Sequence, residues 1–223
     1  MVGTYENELR NLTAELEAER DWRDAELNKM RLMLRRVQEF GSEEYANIYL
    51  KMTIPMIYAH WEGFCVASFK ILSDFINNKK KKGCEVSYNL LTYANQRAYD
   101  KLKGKHSFSQ KVEFSKMFIE SLERDINLSG KLDTKSNLNY NVLKDILSIF
   151  EMDNTLYTQY EGSLNKLVSL RNAIAHGENS RMIDKDCMNE NIVLVIELMD
   201  TVLLQQIEYA ERKVYIMSRT IPG

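Results

Sequence analysis

Apolar residues recur at three- and four-residue steps along nearly the whole chain, and two-residue alternation is absent. That period belongs to helices with one buried stripe and gives no strand of any length. Residues 4–40 read as one long helix with Leu9, Leu12, Leu16, Ala25, Met30, Leu34 and Val37 as its thin apolar seam. Gly41 and Ser42 end it, and Ser42 caps a second, much more apolar helix over 43–78. Pro55 should kink or break that second helix, since it removes one backbone donor. A short helix follows over Ser87 to Lys101, then one over Phe108 to Arg124. Gly130 breaks a polar stretch, and Asn139 caps a helix running to Phe150. Asp153-Asn154-Thr155 opens the next helix, whose stripe is Leu156, Tyr160, Leu164, Leu167, Leu170 and Ile174. The last helix spans about Asp184 to Arg212, and the tail from Arg219 to Gly223 frays.

The pattern is all-α, and 223 residues suit one domain or one domain with an appendage. We divide the chain into an N-terminal helical extension over 1–40 and a helical domain over 41–223. The extension is almost entirely charged from Glu15 to Asp24. Its narrow seam either lies along the body or meets a partner. Hydrophobic residues make up 44 % of the chain, enough for a core, and two prolines and nine glycines leave long elements uninterrupted. The net charge of −2 supplies no global basic field, so any nucleic-acid contact rests on a local patch. Cys65, Cys84 and Cys187 form neither a zinc pattern nor a disulfide framework, as expected of a reducing cytoplasm. The acidic start lacks a signal peptide's apolar region. No apolar run approaches the roughly 18 residues that cross a bilayer.

The candidate chemistry lies between Leu167 and Glu178, which hold Arg171, Asn172 and His176, with Gly177 as an αL cap. Asn172 and His176 are four apart and share a stripe. Arg171 lies about 140° round the helix from His176, so only its long side chain bridges that gap. Histidine exchanges a proton near neutral pH, and arginine grips phosphate oxygens. Together they suit metal-free cleavage of a phosphodiester whose own 2′-OH is the nucleophile. A helix end where basic groups complement the dipole explains the same residues. Phosphate-binding and dinucleotide-binding glycine loops, a His-Glu-x-x-His motif and a two-metal carboxylate cluster are all missing from the sequence.

The segment resembles the Arg-x4-6-His signature of the HEPN superfamily in its Arg-Asn-x-x-x-His form. Two further stretches resemble the MAE-type and RiboL-PSP-type HEPN families: Tyr58-Ala59-His60-Trp61-Glu62-Gly63-Phe64, and Leu132-Asp133-Thr134-Lys135-Ser136-Asn137-Leu138-Asn139-Tyr140. The three occur in the family's order, and the resemblance covers roughly residues 40–215. It implies an antiparallel helical bundle of HEPN type with an extra long N-terminal helix. It further implies a metal-independent endoribonuclease without a cofactor, working as a homodimer in the cytoplasm. Phage defence or a toxin–antitoxin system is the implied setting, with an antitoxin or sensor protein as a further partner and no membrane. Other members of the superfamily keep the fold and only bind.

On this reading His176 is the general acid or base, Arg171 stabilises charge on the phosphate, and Asn172 orients His176, binds substrate or bonds the helix end. Glu62 either sits buried against a neighbouring helix or orients Arg171. His60 is either a packed or surface histidine or a catalytic one. Lys79, Lys80, Lys81 and Lys82 are a solvated run or a guide for RNA, and Arg181 is an extra cation after the motif that either stays solvated or helps hold phosphate. Lys101, Lys103, Lys105 and His106 form a second basic group around Gly104. Tyr88, Tyr93 and Tyr99 near these cations either stack bases or are half-buried.

Overall fold

The computed structural model describes residues 2–102, 107–128, 132–178 and 182–217. These form eight helices: α1 (Val2–Phe40), α2 (Glu43–Asn77), α3 (Tyr88–Ala94), α4 (Gln96–Asp100), α5 (Phe108–Glu123), α6 (Tyr140–Ile149), α7 (Glu161–Ala175) and α8 (Lys185–Glu211). Short 3₁₀ turns cover Gly83–Glu85 and Thr155–Tyr160, and no strand is found among the described residues. The expected all-α class is therefore observed.

The core lies where α1, α2 and α8 meet, with α7 against α2. Leu12, Leu16, Leu27 and Leu34 of α1 are buried in it, so the long helix lies along the body. Arg20 binds Asp200 at 2.8 Å and Arg31 donates to Asn189 at 3.2 Å, which fixes α1 antiparallel to α8. Trp61, Phe64, Phe69 and Leu72 give α2 a fully buried stripe. Burying one such side chain contributes roughly 1.5–3 kcal/mol. That explains why α2 runs through Pro55 without the break expected from sequence: Ile54, Ile57 and Tyr58 are buried on either side. One lost hydrogen bond does not outweigh them.

Two element boundaries differ from the sequence reading. The helix expected over 87–101 is divided at Asn95, whose side-chain amide donates to the Leu91 carbonyl at 2.9 Å and competes with the helix's own bonds. The motif helix starts later than expected, because Thr155–Tyr160 winds as a 3₁₀ turn. Its tighter winding shifts the phase of the stripe, so Tyr157 is buried and Leu156 faces out. The caps hold as expected: Ser42 accepts from the Tyr45 N–H, and Asn139 accepts from the Val142 N–H. The basic group at Lys103, Lys105 and His106, the break at Gly130, the cation Arg181 and the tail from Arg219 lie outside the described residues.

Candidate functional site

The stretches 58–64 and 132–140 meet across a loop. Tyr58 and Trp61 lie one turn apart on α2 and hold Leu138 by both backbone groups. The Leu138 N–H donates to the Tyr58 hydroxyl at 2.7 Å, and the Trp61 indole donates to the Leu138 carbonyl at 3.2 Å. From the other side, Arg171 donates to the Ser136 carbonyl at 2.6 Å, and the Asn172 amide donates to the Asn137 side chain at 3.2 Å. The loop needs this grip. Lys135 and Ser136 both have positive φ, 53° and 49°. Such a backbone persists only where neighbours fix it.

Arg171 is thus half-buried and engaged. Its guanidinium stacks 4.0 Å from the Tyr58 ring centroid. Burial pushes the Tyr58 phenol above its ordinary value, with the nearby guanidinium partly opposing, so the hydroxyl stays neutral. Glu62 lies on the next turn of α2 and acts on the same phenol. Its Oε1 and the Arg171 Nε are both buried without a hydrogen-bond partner, and no ion pair joins the two residues.

His176 has other surroundings. It is the C-terminal cap of α7, at φ −87° and ψ 5°. Gly177 follows at φ 77°, a left-handed conformation that suits glycine. The Glu178 N–H returns to Ala173 at 2.9 Å and the Gly177 N–H to Ile174 at 3.0 Å, a complete Schellman closure. The imidazole is exposed and lines an open cleft of about 420 Å³ with Asn139, Asn141, Asn165, Val168, Ser169, Asn172, Ala173 and Glu178. Asn172 touches both environments. Its amide reaches the clamped loop, and its side chain borders the cleft.

The remaining expected residues lie elsewhere. Lys79 is 21 residues beyond Tyr58, about 30 Å along α2 at 1.5 Å per residue. It pairs with Glu8 and stacks on Phe75 at 3.8 Å, which pins α1 to the end of α2. Lys81 pairs with Glu85 at 2.9 Å and Lys82 with Glu123 at 3.2 Å. Lys80 is exposed at positive φ. The lysine run and His176 therefore do not share one surface. His60 is buried against α1, 3.5 Å from Glu26 and with its ring 5.6 Å from that of Trp22.

The sequence reading named Asn172 but not Asn141 or Asn165 as cleft residues, although a signal was present. Asn165, Ser169, Asn172 and His176 are spaced by four, three and four residues on one helical face. A larger hollow of about 1010 Å³ opens between α3, α4 and α6, and its described lining includes Asp100, Asp133, Asp145 and Arg97. Among the described residues, no group of three or more His, Cys, Asp or Glu is placed to hold a metal ion. No described helix is long and apolar enough to cross a membrane.

The family model HEPN_RiboL-PSP, described as RiboL-PSP-HEPN, matches residues 18–205. The match begins inside α1 and ends inside α8. No curated protein and no solved structure matches the chain.

Proposed function

The chain belongs to the RiboL-PSP-HEPN family, and from that premise we propose that it is a metal-independent endoribonuclease cutting RNA through its own 2′-OH. His176 takes the 2′-OH proton as the oxygen attacks phosphorus, or gives a proton to the departing 5′-oxygen. The products are a 2′,3′-cyclic phosphate and a free 5′-OH. The observation that carries this reading is the exposed His176 in a polar cleft at a rigid helix end, with Arg171 one and a half turns before it. Arg171 holds the neighbouring loop, and the half of it that is exposed faces growing phosphate charge.

One histidine does not serve readily as base and acid in a single step, so a homodimer bringing two His176 side chains to one phosphate completes the site. Tyr45, Ile48, Met52 and Met56 support that pairing. They form an exposed apolar stripe on α2, a surface that a second copy of the chain can cover. The setting we propose is a toxin or phage-defence effector in the cytoplasm, held in check by an antitoxin or sensor protein.

A second reading has its own support. The Arg171 guanidinium is taken up by Tyr58 and Ser136, as befits a HEPN module that binds RNA, a nucleotide or a protein without cutting. Incubation of the protein with RNA in EDTA separates the two. Cleavage that ends in a cyclic phosphate and is lost in His176→Ala supports the nuclease. Binding without cleavage supports the module. Growth arrest on expression, relieved by a co-expressed partner, tests the setting.

A further inference from the structure

The His176 cleft has a donor and acceptor pattern of its own. Among the described residues, no lysine or arginine lines it, and Glu178 is its one carboxylate. Apart from the imidazole and this carboxylate, its described lining is uncharged and rich in hydrogen-bonding groups, which suits a base beside the phosphate that His176 would meet. Its volume of about 420 Å³ falls at the small end of ligand sites, which run to roughly 300–1,000 Å³. That is room for a nucleotide and not for a duplex.

The amides are oriented by the backbone. The Asn139 oxygen accepts from the Val142 N–H at 3.1 Å, and the Asn165 oxygen accepts from the Tyr140 N–H at 3.2 Å. A carboxamide with its oxygen committed presents its NH2 end, so these two residues are donors. Asn141 is exposed at the same rim, and its amide makes no hydrogen bond among the described residues. Asn172 is reversed: its NH2 is spent on Asn137, and its oxygen remains an acceptor. Glu178 is exposed and makes no ion pair among the described residues, and a carboxylate can accept two N–H groups side by side.

Among the four RNA bases, guanine alone offers adjacent N1–H and N2–H donors to a carboxylate while its O6 and N7 accept from amides. Adenine, cytosine and uracil each interpose an acceptor beside their donor. We infer that the His176 cleft is a guanine-reading subsite, in which Glu178 takes the N1–H and N2–H edge and the amides of Asn139, Asn141 and Asn165 face O6 and N7. This rests on the endoribonuclease reading only for its consequence, namely that the bond cut adjoins a guanosine placed at His176.

Binding of the four nucleoside 3′-monophosphates to the full chain, followed by calorimetry and by the His176 ring resonances, tests it without requiring cleavage. The guanosine compound should bind at least tenfold more tightly than the other three. Glu178→Gln, at an exposed position, should erase that preference, and Asn141→Ala should reduce it severalfold. Equal affinity for all four bases, or a guanine preference surviving in Glu178→Gln, overturns the subsite. Mapping cleavage sites in RNA of mixed sequence then separates the two proposals. Guanine preference in binding without cleavage sinks the nuclease and leaves the subsite. Cleavage without base bias, from a protein that binds the four alike, sinks the subsite and leaves the nuclease.

Discussion

Arg171 and His176 stand five residues apart on one helix, yet one is fastened and the other is free. Arg171 is stacked on Tyr58 and bonded to a backbone carbonyl of a left-handed loop. His176 sits past the last turn of α7 in an open, amide-lined cleft. The difference teaches that one motif divides its labour. Its first residue joins α2, the 132–140 loop and α7 into one body, and its last residue presents an exposed imidazole at that body's edge. Spacing along a helix sets the angle between two side chains. The elements packed on either side decide what each one meets.

Replacing His176 tests the free half most severely. In the nuclease reading, His176→Ala lowers the cleavage rate by about 10²–10⁴-fold, the range for loss of a general acid or base. Because the ring is exposed, the melting temperature should stay within a degree or two of wild type. A variant that cuts RNA at the wild-type rate would remove His176 from the chemistry and break the contrast. For the fastened half the expected loss is chiefly of stability. Arg171→Ala leaves the Ser136 carbonyl without its donor and Tyr58 without its cation, at about 1–3 kcal/mol by urea denaturation. Arg171→Lys recovers only part of this, since an ammonium does not stack and fork like a guanidinium. Tyr58→Phe is the milder probe, expected to cost about 1 kcal/mol as the Leu138 N–H loses its acceptor. If Arg171→Ala proves neutral in stability while abolishing cleavage, the guanidinium belongs with the chemistry and not with the frame.

The helices were legible because their stripes are long and regular, and caps such as Ser42 and Asn139 are local signals. The clamp was half legible. The three stretches could be named from sequence, but nothing in the chain states that Tyr58 and Trp61 hold Leu138 from one side while Arg171 and Asn172 hold Ser136 and Asn137 from the other. Those contacts span from 35 to 80 residues and exist only once α2 and α7 have packed. The partners of the lysine run were hidden for the same reason. Four adjacent cations look like one patch, but Lys79, Lys81 and Lys82 each find a carboxylate brought in by another turn or helix. Leu156 and Tyr157 exchanged places because a 3₁₀ turn advances by a different angle from the α-helix that the sequence pattern presumes. The asparagine cleft stayed hidden because polar residues on a helix normally face only water, and its far wall comes from the cap of α6.

A second pair of residues sharpens the comparison with a smaller effect. His60 and His176 are both described, one packed and one exposed. Burial holds the His60 imidazole below its ordinary value near 6.5, and Arg23 adds to this, while Glu26 opposes it. Above pH 6.5 the ring is neutral in folded and unfolded chains alike, so it adds no slope. As pH falls below 6.5 the unfolded chain takes up the proton first, and stability is lost down to the lowered folded value. Asp153 and Glu85 lose their native hydrogen bonds in a separate, more acidic window, because their ordinary values are 3.8 and 4.5. Urea denaturation from pH 7.5 to 5.5 should therefore show a modest decline in wild type that flattens in His60→Asn. Cleavage by that variant should keep the wild-type pH dependence, since His60 faces α1 and not the cleft. A decline that persists in His60→Asn would move the titrating group elsewhere, and a cleavage profile that shifts with His60 would join the two histidines that the fold holds apart.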